Sequence, residues 1–340
     1  MTNNNTLVFT ICSTNYLAQA ISLGFSLQST NPDVQFRIYL VDRLQGREEV
    51  RDRVPFTLIE IEKVPVTDFK GMVLRYNVVE LNTSVKPYIF DHILKSEPGI
   101  KKVVYLDPDI MVFQPLTHLF ETLDNYNIVI TPHILTPSDN NHNVASEHHF
   151  LSTGIFNLGF IAMKRSAETL HFLNWWKEKL LYQGYNLLDY HLFYDQKWIN
   201  FAPVFFDGVF IEKNKGYNMA PWNLHERSLS KVNETYIVNE SESLIFFHFS
   251  SYKTTNPNQI SLHTKYTFDL RPDLKEVIHL YHTQLLNNGE SYFNKLAYFF
   301  DAYKVEIMRN NALNNSNLFM KKLRKLKHQI EANWNIHFKI

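Results

Sequence analysis

The stretch KKVVYLDPDIMVFQPL, Lys101 to Leu116, sets two carboxylates one residue apart, Asp107 and Asp109, around Pro108 and between two apolar runs. Residues i and i+2 of an extended segment point to the same side. Two carboxylates held on one side raise each other's pKa. A hard divalent cation removes that conflict, since Mg²⁺ or Mn²⁺ takes one or two carboxylates together with the oxygens of a diphosphate. Asp-Pro-Asp also occurs in solvated turns, but a surface turn rarely sits inside VVYLDPDIMVF. The pair therefore points to metal–diphosphate chemistry at the mouth of a core.

The elements around it supply such a mouth. TLVFTIC, VQFRIYLVD, FTLIEIE and KKVVYL read as buried strands, and STNYLAQAISLGFSLQSTNP reads as a helix stopped by Asn31-Pro32. A helical region runs from about Asp68 to Lys95, and GIFNLGFIAM, ESLIFFHFSSY and YNIVITP add strands. Ser166 is placed to cap the helix that follows it. Leu135 to Ser152 reads as a polar, irregular loop. Strand and helix alternate, which predicts an α/β domain built on a mainly parallel sheet flanked by helices. Ligands of such sheets bind beyond the carboxyl ends of the strands, which is where Asp107 and Asp109 fall. Two units are expected: residues 1–254 as the α/β domain and 255–340 as a mostly helical C-terminal extension.

Composition narrows the class. The chain has 340 residues, 45% of them hydrophobic and 14% aromatic, enough for a sizeable core. Lys plus Arg and Asp plus Glu are 34 each, so no basic excess marks a nucleic-acid binder. The lone cysteine, Cys12, excludes an internal disulfide. The N-terminus does not read as a secretory signal, and no run approaches the ~20 apolar residues of a membrane span. A soluble cytoplasmic protein is the expectation.

VVYLDPDIMVF resembles the Asp-x-Asp region of GT-A-fold glycosyltransferases, family 8 in particular. VFTICSTNYLAQAISLGFSL resembles that family's opening strand and helix, SVKPYIFDHIL its helix with a basic residue, and GIFNLGFIAM its Asn-Ser-Gly strand with Leu158 for the serine. YDQKWINF resembles its Asp-Gln motif and FFHFSSYKTTNP its late His motif, which here lacks the usual Lys-Pro-Trp. The order is the family's, over about residues 6 to 255, and DQKWI, GYNMAPWNLHER and FFHFS resemble a subgroup of bacterial surface-polysaccharide transferases.

The resemblance implies a nucleotide-sugar donor, with UDP-sugar expected, and Mn²⁺ or Mg²⁺ held by Asp107, Asp109 and His248. It implies Asp195 and Gln196 beside the sugar and acceptor, Lys86 and Lys253 facing phosphate, and Asn157 touching the sugar. Thr10, Cys12 and Tyr16 would lie near the base. Without the resemblance, a histidine ending LIFFHFS is a packed core residue, Lys86 a solvated lysine and Cys12 a small buried hydrophobe. Asp195 and Gln196 fall in a helical stretch before Trp198, so one faces the site and the other is structural. GYNMAPWNLHER is either an acceptor or phosphate wall, or a segment whose Trp222 plugs the core edge. His142, His148 and His149 fit no common metal spacing.

Two other functions are open. A glycoside hydrolase needs carboxylates on opposite faces of a sugar, ~5 to 9.5 Å apart, which the Asp107–Asp109 spacing does not suit. A non-catalytic nucleotide-sugar-binding scaffold is countered by the intact Asp107, Asp109 and His248. The expected acceptor is a glycan or a lipid-linked glycan. LFMKKLRKLKHQI, within about residues 317–331, has the spacing of an amphipathic basic helix suited to peripheral contact with an anionic membrane.

Overall fold

In the computed structural model, residues 5–138 and 142–314 are described. The basic segment 317–331 lies outside the described residues. Among the described residues, no helix is long and apolar enough to cross a membrane.

The central sheet contains β1 (Thr6–Cys12), β2 (Gln35–Leu40), β3 (Thr57–Glu60), β4 (Lys102–Leu106), β6 (Ile128–Pro132), β7 (Phe156–Lys164) and β8 (Val209–Ile211). Their spatial order is β8-β6-β7-β4-β1-β2-β3. All neighbours run parallel except β7, which is antiparallel to β4 and β6. This is the mainly parallel α/β sheet expected. Every residue of β1 and all but the last of β7 are buried, as strands covered on both faces must be.

One face packs against the helices Lys86–Ser96 and Ala167–Tyr182 through residues such as Phe90, Ile93, Phe172 and Trp176. The other packs against Leu23 and Leu27 of the helix Leu17–Thr30 and Leu119 and Leu123 of the helix Thr117–Asn125. Ser166 caps its helix as expected, accepting from Thr169 N.

The region from Asp68 resolves into three helices, Phe69–Arg75, Val78–Ser84 and Lys86–Ser96. Two local expectations are corrected. The polar loop ends in a short helix, Glu147–Thr153, closed by Gly154 at φ 118°, a conformation that glycine adopts without strain. The segment ESLIFFHFSSY is two short strands, not one. Glu242–Ser243 pairs with Thr235–Val238, while β9 (Phe246–His248) leaves that sheet to pair antiparallel with β5 (Ile110–Val112). After residue 255 come the helices Lys275–Asn287, Glu290–Phe293 and Phe299–Asn314. The first two pack on the helix Leu17–Thr30 and the third on Phe69–Arg75, so these helices share the core of the α/β layers.

Candidate active site

β4 ends at Leu106 and the chain turns at once into β5, with Ile110 N donating to Asp107 O at 3.1 Å. That turn carries both aspartates. The pairing of β9 with β5 sets His248 opposite Ile110, and Phe249 N donates to Asp109 O at 2.8 Å. His248 Nε2 lies 3.1 Å from Asp109 Oδ1 and 3.7 Å from Asp107 Oδ2. One ligand atom from each of the three residues falls within 4.8 Å of the others. Two carboxylate oxygens and an imidazole nitrogen converging on one point suit Mn²⁺ or Mg²⁺, the nitrogen favouring a transition metal. Among the described residues no second such group forms, and His142, His148 and His149 do not converge in one.

Burial pushes the Asp107 carboxyl above its usual range, against the pull of Lys86 and His248. Burial acts the same way on Asp109, but His248 outweighs it and holds that carboxyl low. Burial opposes a charge on His248, yet the carboxylates, Asp109 foremost, keep its pKa raised. Metal ligands must be deprotonated, so a cation here competes with the proton that the carboxylates draw to His248.

The imidazole is seated by its neighbours. Trp222 meets it edge-on at 5.1 Å between ring centroids. Gly159 of β7 passes beside it and accepts at its carbonyl from Asp107 N at 2.7 Å. A Cβ on Gly159 would stand 2.4 Å from His248 Cε1 and 2.7 Å from Nδ1. Gly159→Ala is therefore expected to displace the ring and weaken Mn²⁺ binding by roughly a hundredfold, with calorimetric titration as the check. Binding equal to wild type would show that the ring position does not matter.

All three residues border one cavity, and Asp109 borders a second as well. A cleft of about 630 Å³ is bordered by Asp107, Asp109, His248, Lys86, Asn157, Asp195, Gln196, Trp222 and His149, among others. A smaller cavity of about 150 Å³ is bordered by Asp109, Tyr16, Lys253, Tyr281, Glu290 and others. Asp109 and Ser251 border both.

Asp195 and Gln196 both reach the cleft, where a helix would have sent them to different faces. They lie in the turn before a 3₁₀ helix, Lys197–Phe201, and not in an α-helix. Gln196 Oε1 accepts from Leu158 N at 3.2 Å and its Nε2 donates to Thr153 O at 3.0 Å. Asn157 Oδ1 accepts from Gly159 N at 3.1 Å and from Asn218 Nδ2 at 3.0 Å. Its Nδ2 lies 3.3 Å from His133 Nε2.

Lys86 is not a solvated lysine. It is 1% exposed, and its Nζ donates to Asp195 Oδ2 at 2.6 Å and to Leu158 O at 2.8 Å. The ammonium expected to meet phosphate is thus already shared. Burial raises the Asp195 pKa against the attraction of Lys86.

Thr10 and Cys12 are buried along β1 and border neither cavity; burial raises the Cys12 thiol pKa. Trp222 packs against Phe150 and Ala220 and also borders the cleft.

Sequence reasoning missed Tyr105, whose hydroxyl donates to Asp107 and whose ring lies under Lys86 Nζ at 4.2 Å. The two-residue period of a strand was the available signal for it. It also missed His133 and His263, which border the cleft and whose positions depend on which distant segments meet.

An α/β sheet with an Asp-x-Asp turn and a facing histidine is the arrangement that the resemblance to GT-A-fold glycosyltransferases implies. The chain matches the family described as Glycosyl transferase family 8 over residues 7–253 and belongs to that family. It is 26% identical to the Bacillus subtilis (strain 168) protein YfnF over 282 residues, 81% of this chain and 90% of YfnF. Similar solved structures include the galactosyltransferase LgtC with donor and acceptor sugar analogues, at 14% identity and TM-score 0.45, covering 83% of this chain and 95% of that one. The glycosyltransferase GlyE of Streptococcus pneumoniae TIGR4 aligns at 15% identity and TM-score 0.45, covering 86% and 66%.

Proposed function

We propose that this glycosyltransferase moves a sugar from a nucleotide-sugar, a UDP-sugar in the first instance, to a hydroxyl of a glycan or lipid-linked acceptor. Mn²⁺ or Mg²⁺ held by Asp107, Asp109 and His248 would neutralise the charge on the departing diphosphate. The observation that carries this reading is the position of Asp109 on the border of both cavities. A donor laid across that border has its diphosphate at the three ligands.

The nucleoside half then lies in the small cavity. Tyr16 borders it, and Lys253 offers a point charge on a flexible stem. The sugar lies in the cleft over Asp195, Gln196 and Asn157. The amides of Gln196 and Asn157 are already fixed by the hydrogen bonds described above, so they do not have to be ordered when the donor binds. The acceptor hydroxyl attacks the anomeric carbon as the bond to the diphosphate breaks. Phe150, His149 and Trp222 form the cleft wall that an acceptor sugar would meet. A growing cell-surface polysaccharide is the acceptor class proposed, and a loose hold on an anionic membrane through residues 317–331 belongs to the same reading.

The test is a panel of nucleotide-sugars with Mn²⁺, read as nucleoside diphosphate release, followed by NMR of the product anomer. Turnover of a UDP-sugar that stops in EDTA is expected. Release of no nucleoside diphosphate from any donor, with acceptors of both classes present, overturns the reading. Within it, Gln196→Ala is expected to lower kcat about tenfold or more while UDP affinity stays within about twofold, since the amide borders the cleft and not the small cavity. Collapse of UDP affinity with normal kcat would reassign Gln196 to the nucleotide.

A further inference from the structure

Residues 261–265 lie beyond the span matched by the family and are tied to Ser250, which borders the cleft, and to Asn143. Ser261 Oγ donates to Ser250 O at 2.6 Å and accepts from His263 N at 3.0 Å. Thr264 Oγ1 donates to Asn143 O at 2.8 Å, and Lys265 N reaches the same carbonyl at 2.8 Å. Ser261 and Thr264 are buried. The backbone of His263 is thus fixed from before and after, and its side chain borders the cleft.

Its partner is equally well placed. His263 Nε2 lies 2.9 Å from Ser251 Oγ. Ser251 adopts a left-handed φ of 57° just after β9 and, with Asp109, borders both cavities. In the neutral ring that accepts from Ser251, and equally in the imidazolium, Nδ1 carries a proton free to be donated elsewhere.

The cleft needs such a donor. Among the described residues that border it, Lys86 is the lone lysine or arginine, and its ammonium is committed to Asp195 and Leu158. Lys253 borders only the small cavity. A diphosphate bridging the two cavities therefore meets a cation on its nucleoside side and, on its sugar side, no uncommitted lysine or arginine.

We propose that His263 donates a hydrogen bond from Nδ1 to the β-phosphate of the donor, with Ser251 as its positioning residue. This rests on the nucleotide-sugar reading above. It gives the departing diphosphate a contact drawn from outside the family-matched segment.

The test is calorimetric titration of UDP and of UMP, each with Mn²⁺, into the full chain. UMP lacks the β-phosphate. His263→Ala is expected to weaken UDP about tenfold and leave UMP unchanged. His263→Asn sets an amide nitrogen about where Nδ1 stood and is expected to retain most of the UDP affinity. Ser251→Gly removes the hydroxyl while easing the left-handed backbone, and a loss of a few-fold in UDP alone is expected. UDP binding by His263→Ala equal to wild type overturns the proposal. So does an equal loss of UDP and UMP, or His263→Asn as weak as His263→Ala. Wild type that binds neither nucleotide with Mn²⁺ strikes the nucleotide-sugar reading itself, which separates the two failures.

Discussion

Asp109→Asn is expected to lower sugar transfer by roughly two to three orders of magnitude with the fold intact. Asparagine keeps the shape of the side chain. The hydrogen bond from Phe249 N ends on the Asp109 backbone carbonyl and does not depend on the carboxylate. What is lost is one negative charge from the three-residue group, at the member nearest His248, 3.1 Å away. Asp107 stands farther from that ring, at 3.7 Å, and already accepts a hydrogen bond from Tyr105. It cannot make up the missing charge. Two measurements check the account. Turnover of a UDP-sugar with Mn²⁺ reads the chemistry, and the rise in Tm on adding Mn²⁺ reads the metal, because a ligand of the folded state stabilises it by mass action. Wild type should gain Tm with Mn²⁺ and the variant should not. Full activity in EDTA, or in the variant, would remove the metal from the mechanism.

How much of this was legible in the sequence depended on the distance over which each feature is decided. Asp107 and Asp109 are decided locally: the apolar residues on either side fix a strand end, and the two-residue spacing fixes the shared side. The parallel sheet was legible for the same reason, since each strand and helix carries its own period. His248 is decided by pairing. Its strand reads as buried whether or not it faces the aspartates, and only the register of β9 on β5 brings it there. The family resemblance pointed to His248 where local pattern did not. Asp195 and Gln196 show a different failure. A helical assignment over their segment separates them, and a turn of the same length brings both to the cleft. Thr10 and Cys12 differ again, lying buried in β1 and bordering neither cavity. In a strand buried on both faces, position near the carboxyl end does not imply access to a ligand. Gly159 is the glycine of the strand that resembles Asn-Ser-Gly, but its reason was not legible, because what it must avoid is a ring from a distant strand.

Lys86 and Asp195 give the second large effect. Lys86→Met is expected to destabilise the fold by about 3–5 kcal/mol, more than removing both charges together. The ammonium and the carboxylate are 1% and 2% exposed and 2.6 Å apart. Lys86 also donates to Leu158 O and sits over the Tyr105 ring. Taking the lysine away leaves a buried carboxylate close to Asp107, with nothing to offset its lost hydration. Burial already raises the Asp195 pKa, and Lys86 is the main influence lowering it. Without Lys86 the carboxyl takes up a proton, and folding bears the cost of that neutralisation. In Lys86→Met with Asp195→Asn, neither charge is buried alone, and most of the lost stability should return. Activity should not return with it, because Asp195 borders the cleft where the sugar is proposed to lie. Urea unfolding and turnover on the same three proteins therefore separate: the double variant ranks above the single in stability and no better in catalysis. A double variant as unstable as the single would mean that the packing of the Lys86 stem, not the buried charge, sets the cost. A double variant that recovered turnover would remove Asp195 from the chemistry and leave it the partner of Lys86 alone.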